Sequence, residues 1–196
     1  DGGANIGLFA GLAELAFGAP TTVIAVEPLA TNLALIEELR AANALGFEVQ
    51  AAALHPGGAD TVDLFVPETG IGAESIATLV DRFGPGGVFA GRPARKVPVR
   101  AMTLETSLAG GKPPYLIKLD IEGAEADVLA AAPALLARDD VDIVVEITIN
   151  DPDKHRLFDL LRQAGFRAYL LTNAGLVRED RPLTIPPADR ADRTLW

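Results

Sequence analysis

Three groups of residues have types and spacing that could do chemistry. The stretch D-G-G-A-N-I-G (1–7) sets one carboxylate, Asp1, against glycine-rich backbone that runs straight into a helical pattern. Gly3 and Gly7 let backbone approach a ligand closely, and the free amides of a helix start can hold a carboxylate or phosphate. Glu27, followed by Pro28, closes the apolar run TVIAV (22–26). A carboxylate at the end of such a strand can accept hydrogen bonds from ribose hydroxyls. The third group is K-L-D-I-E-G-A-E (118–125), where Asp120, Glu122 and Glu125 crowd a strand-to-helix junction. Helix starts favour acids by ~0.3–1 kcal/mol each, which accounts for part of this cluster. Capping does not need three acids and Gly123 in one turn. In a doubly wound sheet this junction neighbours the first, so Asp120 and Asp1 are expected to face one crevice, and two carboxylates near one site raise at least one pKa, which suits a proton acceptor. Glu146 closes a later strand and points at the same sheet edge.

The first group discriminates between ligands. A dinucleotide sets its pyrophosphate against such a turn, usually on G-x-G-x-x-G, and Gly2, Gly3 and Gly7 do not have that spacing. An ionised Asp1 repels pyrophosphate and attracts an ammonium or sulfonium group. S-adenosylmethionine carries both cations and one carboxylate, so the residues favour it over a nicotinamide cofactor. The plainer role for Asp1 is to cap the following helix. An NAD(P)-dependent oxidoreductase on a similar fold would also bring a Tyr/Lys pair, but Tyr115 and Tyr169 both sit in strand runs. A non-catalytic binding module that keeps the fold stays open.

Composition narrows the classes further. A chain of 196 residues with 49% apolar content is expected to be one domain, or a domain plus a small appendage, with a sizeable core. No apolar run is long enough to span a membrane. There is no cysteine, so disulfides, thiolate metal sites and cysteine nucleophiles are excluded. His55 and His155 lie far apart in number and form no histidine metal cluster alone; no metal is assigned. A net charge of −10 argues against a nucleic-acid partner, which needs a cationic footprint. The local exception is Arg92, Arg95, Lys96 and Arg100, either a solvated flank of a strand or a clamp for an anionic substrate group. Arginine outnumbers lysine and alanine is abundant, an association with a GC-rich bacterial source. No leader segment is visible, and the expected compartment is the cytoplasm. Composition says nothing of oligomeric state.

Elements that would position these groups follow from periodicity. A helix is expected over 5–17, with Ile6, Phe9, Ala13 and Ala16 on one face. Strand 22–26 comes next, then a helix over 32–44 capped by Thr31, with Leu33, Ile36 and Leu39 facing the sheet. A strand over 47–53 precedes an irregular, Gly/Pro-rich insert at about 55–98 that holds a strand at 61–66. Further strands are expected at 97–102, 115–120, 141–147 and 166–171, with helices at 123–137, interrupted near Pro133, and at 153–164. This order predicts one α/β domain over 1–196 with a doubly wound, mostly parallel sheet. Asp1 should then end the central strand, whose body is expected upstream or supplied from elsewhere, because its neighbours would otherwise be unpaired.

The combination resembles the FkbM family of S-adenosylmethionine-dependent methyltransferases. The matching pieces are D-G-G-A-N-I-G (1–7), V-I-A-V-E-P (23–28), the helix ending in Asn43, A-A-A-L (51–54), V-P-V-R…T-L (97–104), L-I-K-L-D-I-E-G-A-E (116–125) and I-V-V-E-I (143–147). They run in the family's order across nearly the whole chain, and K-L-D-I-E-G-A-E is the most specific. The resemblance implies a class I methyltransferase fold, Rossmann-like, and O-methylation of a hydroxyl on a sugar, polyketide or similar small molecule. It implies that Asp1, Gly3, Asn5 and Gly7 surround the methionine part of the cofactor. Glu27 would bind the ribose, Pro28 and Leu29 would line the adenine side, and Ala53 would lie near the adenine. Asp120 and Glu122 would face the transferable methyl. Either is a candidate base for the hydroxyl proton, with His155 third. Ser75 matches a serine of the family's middle segment, and Gly2 replaces the family's usual apolar residue.

Overall fold

The computed structural model describes residues 1–68, 77–81, 83, 90–147, 154–173 and 175–179. Asp1–Gly3 run between two parallel strand pairs. On one side lie β1 (Ile24–Val26) and β2 (Glu48–Gln50), on the other β6 (Tyr115–Leu119) and β7 (Val141–Val145). Gly2 bridges both Val26 and Leu119 in parallel. The ladder bonds run from Val26 N to Asp1 O at 2.8 Å, from Gly2 N to Lys118 O at 2.8 Å and from Asp120 N to Gly2 O at 3.0 Å. The glycine turn therefore leaves the sheet between the ends of β1 and β6, where ligands of open α/β sheets bind.

The doubly wound sheet expected from the sequence is present only in part. The described strands divide into small sheets of mixed direction. β3 (Ala53–Leu54) pairs in parallel with β5 (Ala94–Met102), and β4 (Thr61–Pro67) pairs with β5 antiparallel over its whole length. β8 (Tyr169–Thr172) and β9 (Gly175–Arg178) form an antiparallel hairpin. The expected strand over 47–53 breaks because β2 pairs with β1 while β3 pairs with β5. The irregular insert holds β4 and the start of β5; the expected strands at 61–66 and 97–102 are both present, and they pair with each other.

Helices deviate from expectation for identifiable reasons. α1 (Leu8–Phe17) begins at Gly7, held at φ 81°, and buries Ala10 and Gly11 rather than its large apolar residues. A Cβ at Gly11 would lie 3.0 Å from Leu45 Cδ1, and one at Gly7 would lie 3.1 Å from Ile36 Cγ1. Close approach on the small-residue side leaves Ile6, Phe9, Leu12 and Leu15 exposed. α2 (Ala30–Asn43) starts earlier than expected, from Leu29, so Thr31 lies inside it and does not cap it. α3 is a single turn, Leu104–Ser107, capped by the Thr103 hydroxyl. Pro133 splits the next helix into α4 (Glu125–Ala130) and α5 (Pro133–Leu136). α6 (Lys154–Gln163) buries Leu157 against the largest core cluster, which includes Leu119, Leu129, Leu136 and Val141. Among the described residues no helix is long and apolar enough to cross a membrane.

Candidate active site

One cavity collects residues from three strand-to-helix junctions. Gly3 and Asn5 come from the glycine turn, Glu27 and Pro28 from the end of β1, and Asp120 and Glu122 from the end of β6. Ala53 lies on its wall, with Leu64 of β4 and Ala77 and Leu79 of the following segment as apolar surface. The expected insert thus supplies part of the site. Asn5 and Glu122 have left-handed φ values of 51° and 56°. Non-glycine residues adopt that region at a cost and gather at ligand sites.

Glu27 is buried and fully engaged on one side. Its Oε1 accepts from Leu29 N at 3.0 Å and Asn32 Nδ2 at 3.1 Å; its Oε2 accepts from Asn5 N at 2.9 Å. Burial pushes its carboxyl above the usual range, opposed by donors from Leu29, Asn32 and Asn5 and by the Lys118 charge. A carboxylate offers about four acceptor positions, so these three bonds leave one, on Oε2, for a ligand hydroxyl.

The turn itself is shaped by backbone contact. A Cβ at Gly3 would lie 1.9 Å from Asp120 O, so only glycine lets the two junctions meet here. The Asp1 side chain is 1% exposed, and neither oxygen accepts a hydrogen bond from the described residues. Lys118 Nζ lies 3.1 Å from Asp1 Oδ1 as an ion pair whose direction does not make a hydrogen bond. Asp1 does not cap α1, whose N-cap is Gly7.

The three acids of the second junction have separate roles. Glu125 accepts from Ile121 N at 2.8 Å and Gly123 N at 2.9 Å, so it braces the loop. The Glu122 carbonyl accepts from the buried Thr78 hydroxyl at 2.7 Å, tying the segment after β4 to the junction. Asp120 is the cavity acid next to Glu146, which follows β7 and donates its amide to Leu119 O at 3.1 Å. Burial raises the Glu146 carboxyl to about 8, helped by its hydrogen bond to Asp120 and by the charges of Asp120, Glu122 and Glu125. A protonated carboxyl beside an acid that lines the cavity is an arrangement for handling a proton.

Of the residues expected at the site, Gly3, Asn5, Glu27, Pro28, Ala53, Asp120 and Glu122 line the cavity together. Asp1 lies behind this wall, in contact with Lys118. Gly7 is a helix-start and packing glycine. Leu29 starts α2 and packs with Ala53, Leu64, Val66 and Val99. His155 is exposed on the first turn of α6, away from the cavity lining. Ser75 lies outside the described residues. Lys118 is signalled by strand alternation, two residues before Asp120, whereas nothing in spacing marks Asn32 as a partner of Glu27. Among the described residues no group of three or more His, Asp and Glu is arranged to hold a metal.

Two observations bear on a bound cofactor. The remaining Glu27 acceptor beside Gly3 and Asn5 in the cavity wall fits a close-lying hydroxylated ligand, and the Asp120 and Glu122 side of the wall, with the Lys118-paired Asp1 carboxylate behind it, fits a ligand cation. No curated protein and no solved structure matches the chain. Residues 1–168 match the family described as the methyltransferase FkbM domain, a span that holds every residue of the cavity. The chain belongs to the FkbM methyltransferase family.

Proposed function

We propose that this methyltransferase takes S-adenosylmethionine and methylates a hydroxyl of a sugar, polyketide or similar small molecule, as one domain over 1–196. The observation that carries the reading is the convergence of Asn5, Glu27, Asp120 and Glu122 on one cavity. The bound cofactor supplies an electrophilic methyl on a sulfonium. Glu27 would accept a ribose hydroxyl on its remaining position, with Pro28 and Ala53 beside the adenine. Gly3 and Asn5 would face the methionine end, with the Asp1 carboxylate behind them.

Chemistry at the acceptor is a proton problem. A hydroxyl attacking a methyl carbon must lose its proton in the transition state. Asp120 lines the cavity and would receive that proton, with Glu122 as the alternative acceptor. Glu146 holds its own proton near neutral pH and would keep the Asp120 carboxylate oriented. The apolar wall of Leu64, Ala77 and Leu79 would exclude water. Alignment of the two reactants accounts for the larger share of catalysis, up to ~7–11 kcal/mol.

Calorimetry with S-adenosylmethionine and NAD tests the reading. Binding of the first and not the second is expected; NAD binding alone overturns it in favour of an oxidoreductase, and binding of neither favours a non-catalytic module. A screen of sugar, polyketide and peptide hydroxyls with methyl-labelled cofactor then identifies the acceptor. With that acceptor, Asp120→Asn should bind cofactor and lose at least about 100-fold in turnover. Full turnover in both Asp120→Asn and Glu122→Gln would remove the base assignment.

A further inference from the structure

Lys118 places a cation at the meeting point of the two halves of the site. It lies on β6 two residues before Asp120, so strand alternation puts both side chains on one face. Its ammonium is 3.1 Å from Asp1 Oδ1 and 3.5 Å from Asp120 Oδ2, and it donates to the Gly3 carbonyl at 3.2 Å. The Phe9 ring lies 5.7 Å away, and the Lys118 side chain is only 15% exposed. Gly3 and Asp120 are wall residues of the cavity, so the cation stands directly behind that wall.

A charge held there acts on whatever the wall faces, because screening by solvent is weak at such burial. We propose that Lys118 is a positioning residue that clamps the glycine turn to the β6–α4 junction and limits the preference of the site for a sulfonium over a neutral thioether. This rests on the reading that the cavity binds S-adenosylmethionine. The cofactor and its spent form, S-adenosylhomocysteine, differ only by the methyl and the sulfonium charge. With Asp1 and Asp120 uncompensated, the sulfonium form would be held more tightly relative to the thioether form. Lys118 keeps the two affinities closer, which favours exchange of spent cofactor for fresh.

The affinity ratio of these two ligands, measured by calorimetry on the purified protein, separates charge from mere structure. Lys118→Gln keeps a donor for Gly3 O and removes the charge. It should raise the ratio of S-adenosylmethionine to S-adenosylhomocysteine affinity by about fivefold or more. Lys118→Arg keeps the charge and should stay within about twofold of the wild type. Asp1→Asn should lower the ratio, and adding Lys118→Gln to it should bring the ratio back. That second comparison stands even if Lys118→Gln alone fails to fold, since removing both partners leaves no unpaired buried charge. Equal weakening of both ligands in Lys118→Gln, or a double variant with the Asp1→Asn ratio, overturns the proposal. If the wild type binds neither ligand, the cofactor reading itself falls; if it binds both and the ratio never moves, only the role of Lys118 does.

Discussion

The Asn5 amide donates to Glu27 Oε2 at 2.9 Å, across 22 residues of sequence. This bond ties the glycine turn to the end of β1, and both residues line the same cavity. Glu27 therefore holds this part of the cavity wall together, and under the proposed function it also presents an acceptor to the ribose. Glu27→Ala would strand the Asn5 and Leu29 amides and the Asn32 side chain. A loss of about 2–4 kcal/mol in unfolding free energy is expected from urea titration, together with at least about tenfold weaker S-adenosylmethionine binding. Stability within about 0.5 kcal/mol of wild type would show that the carboxylate is not holding the turn.

Gly3 and Gly58 form a matched pair for testing close approach. Both have positive φ, 73° and 83°. A Cβ at Gly3 would collide with Asp120 O at 1.9 Å, while one at Gly58 would meet nothing among the described residues within 4 Å. Gly58→Ala should cost about 1 kcal/mol, the strain of the left-handed region alone. Gly3→Ala should cost at least about 3 kcal/mol or prevent folding, because backbone must move. Similar thermal midpoints for the two variants would contradict the close contact between the junctions.

Glu146 makes stability depend on pH. Its carboxyl is raised to about 8 by burial and by its hydrogen bond to Asp120, so the folded chain holds a proton that the unfolded chain has already released. The stabilisation is fully present below the ordinary carboxylate range and is lost as pH rises through about 8. Glu27 is shifted in the same direction, so it adds to the same slope. Because Glu146 is only partly buried, its share is discounted to about 1 kcal/mol, or about 2–4 °C at this chain length. Glu146→Gln should flatten the fall in thermal midpoint between about pH 5 and about pH 8.5. An unchanged slope would mean that Glu146 titrates normally.

Thr78 joins the segment after β4 to the β6–α4 junction. Its hydroxyl donates to Glu122 O at 2.7 Å and accepts from Val80 N at 3.0 Å. Thr78→Val keeps the shape and removes both bonds, so a loss of about 1–3 kcal/mol is expected. Thr78→Ser should retain most of the stability. Equal midpoints for the Val and Ser variants in a urea titration would show that the hydroxyl carries none of it.

Sequence alone marked many residues of the candidate cavity and the elements that carry them. The glycine turn before α1, the apolar β1 ending in Glu27 and β6 ending in Asp120 are legible because they rest on local rules: short apolar runs closed by an acid, and glycine before a helix. Seven of the expected residues do meet in one cavity. Tertiary structure decided what each of them does there. Glu27 and Glu125 are largely occupied by amides from neighbouring turns, bonds that depend on how loops fold back. α1 packs through Gly7, Ala10 and Gly11 because glycine allows close approach, which hydrophobic periodicity does not weigh. The Glu146 proton arises from charges brought together at the ends of β6 and β7, and the Lys118 clamp from the glycine turn meeting β6, since electrostatic energy depends on distance in space and not on separation in the chain.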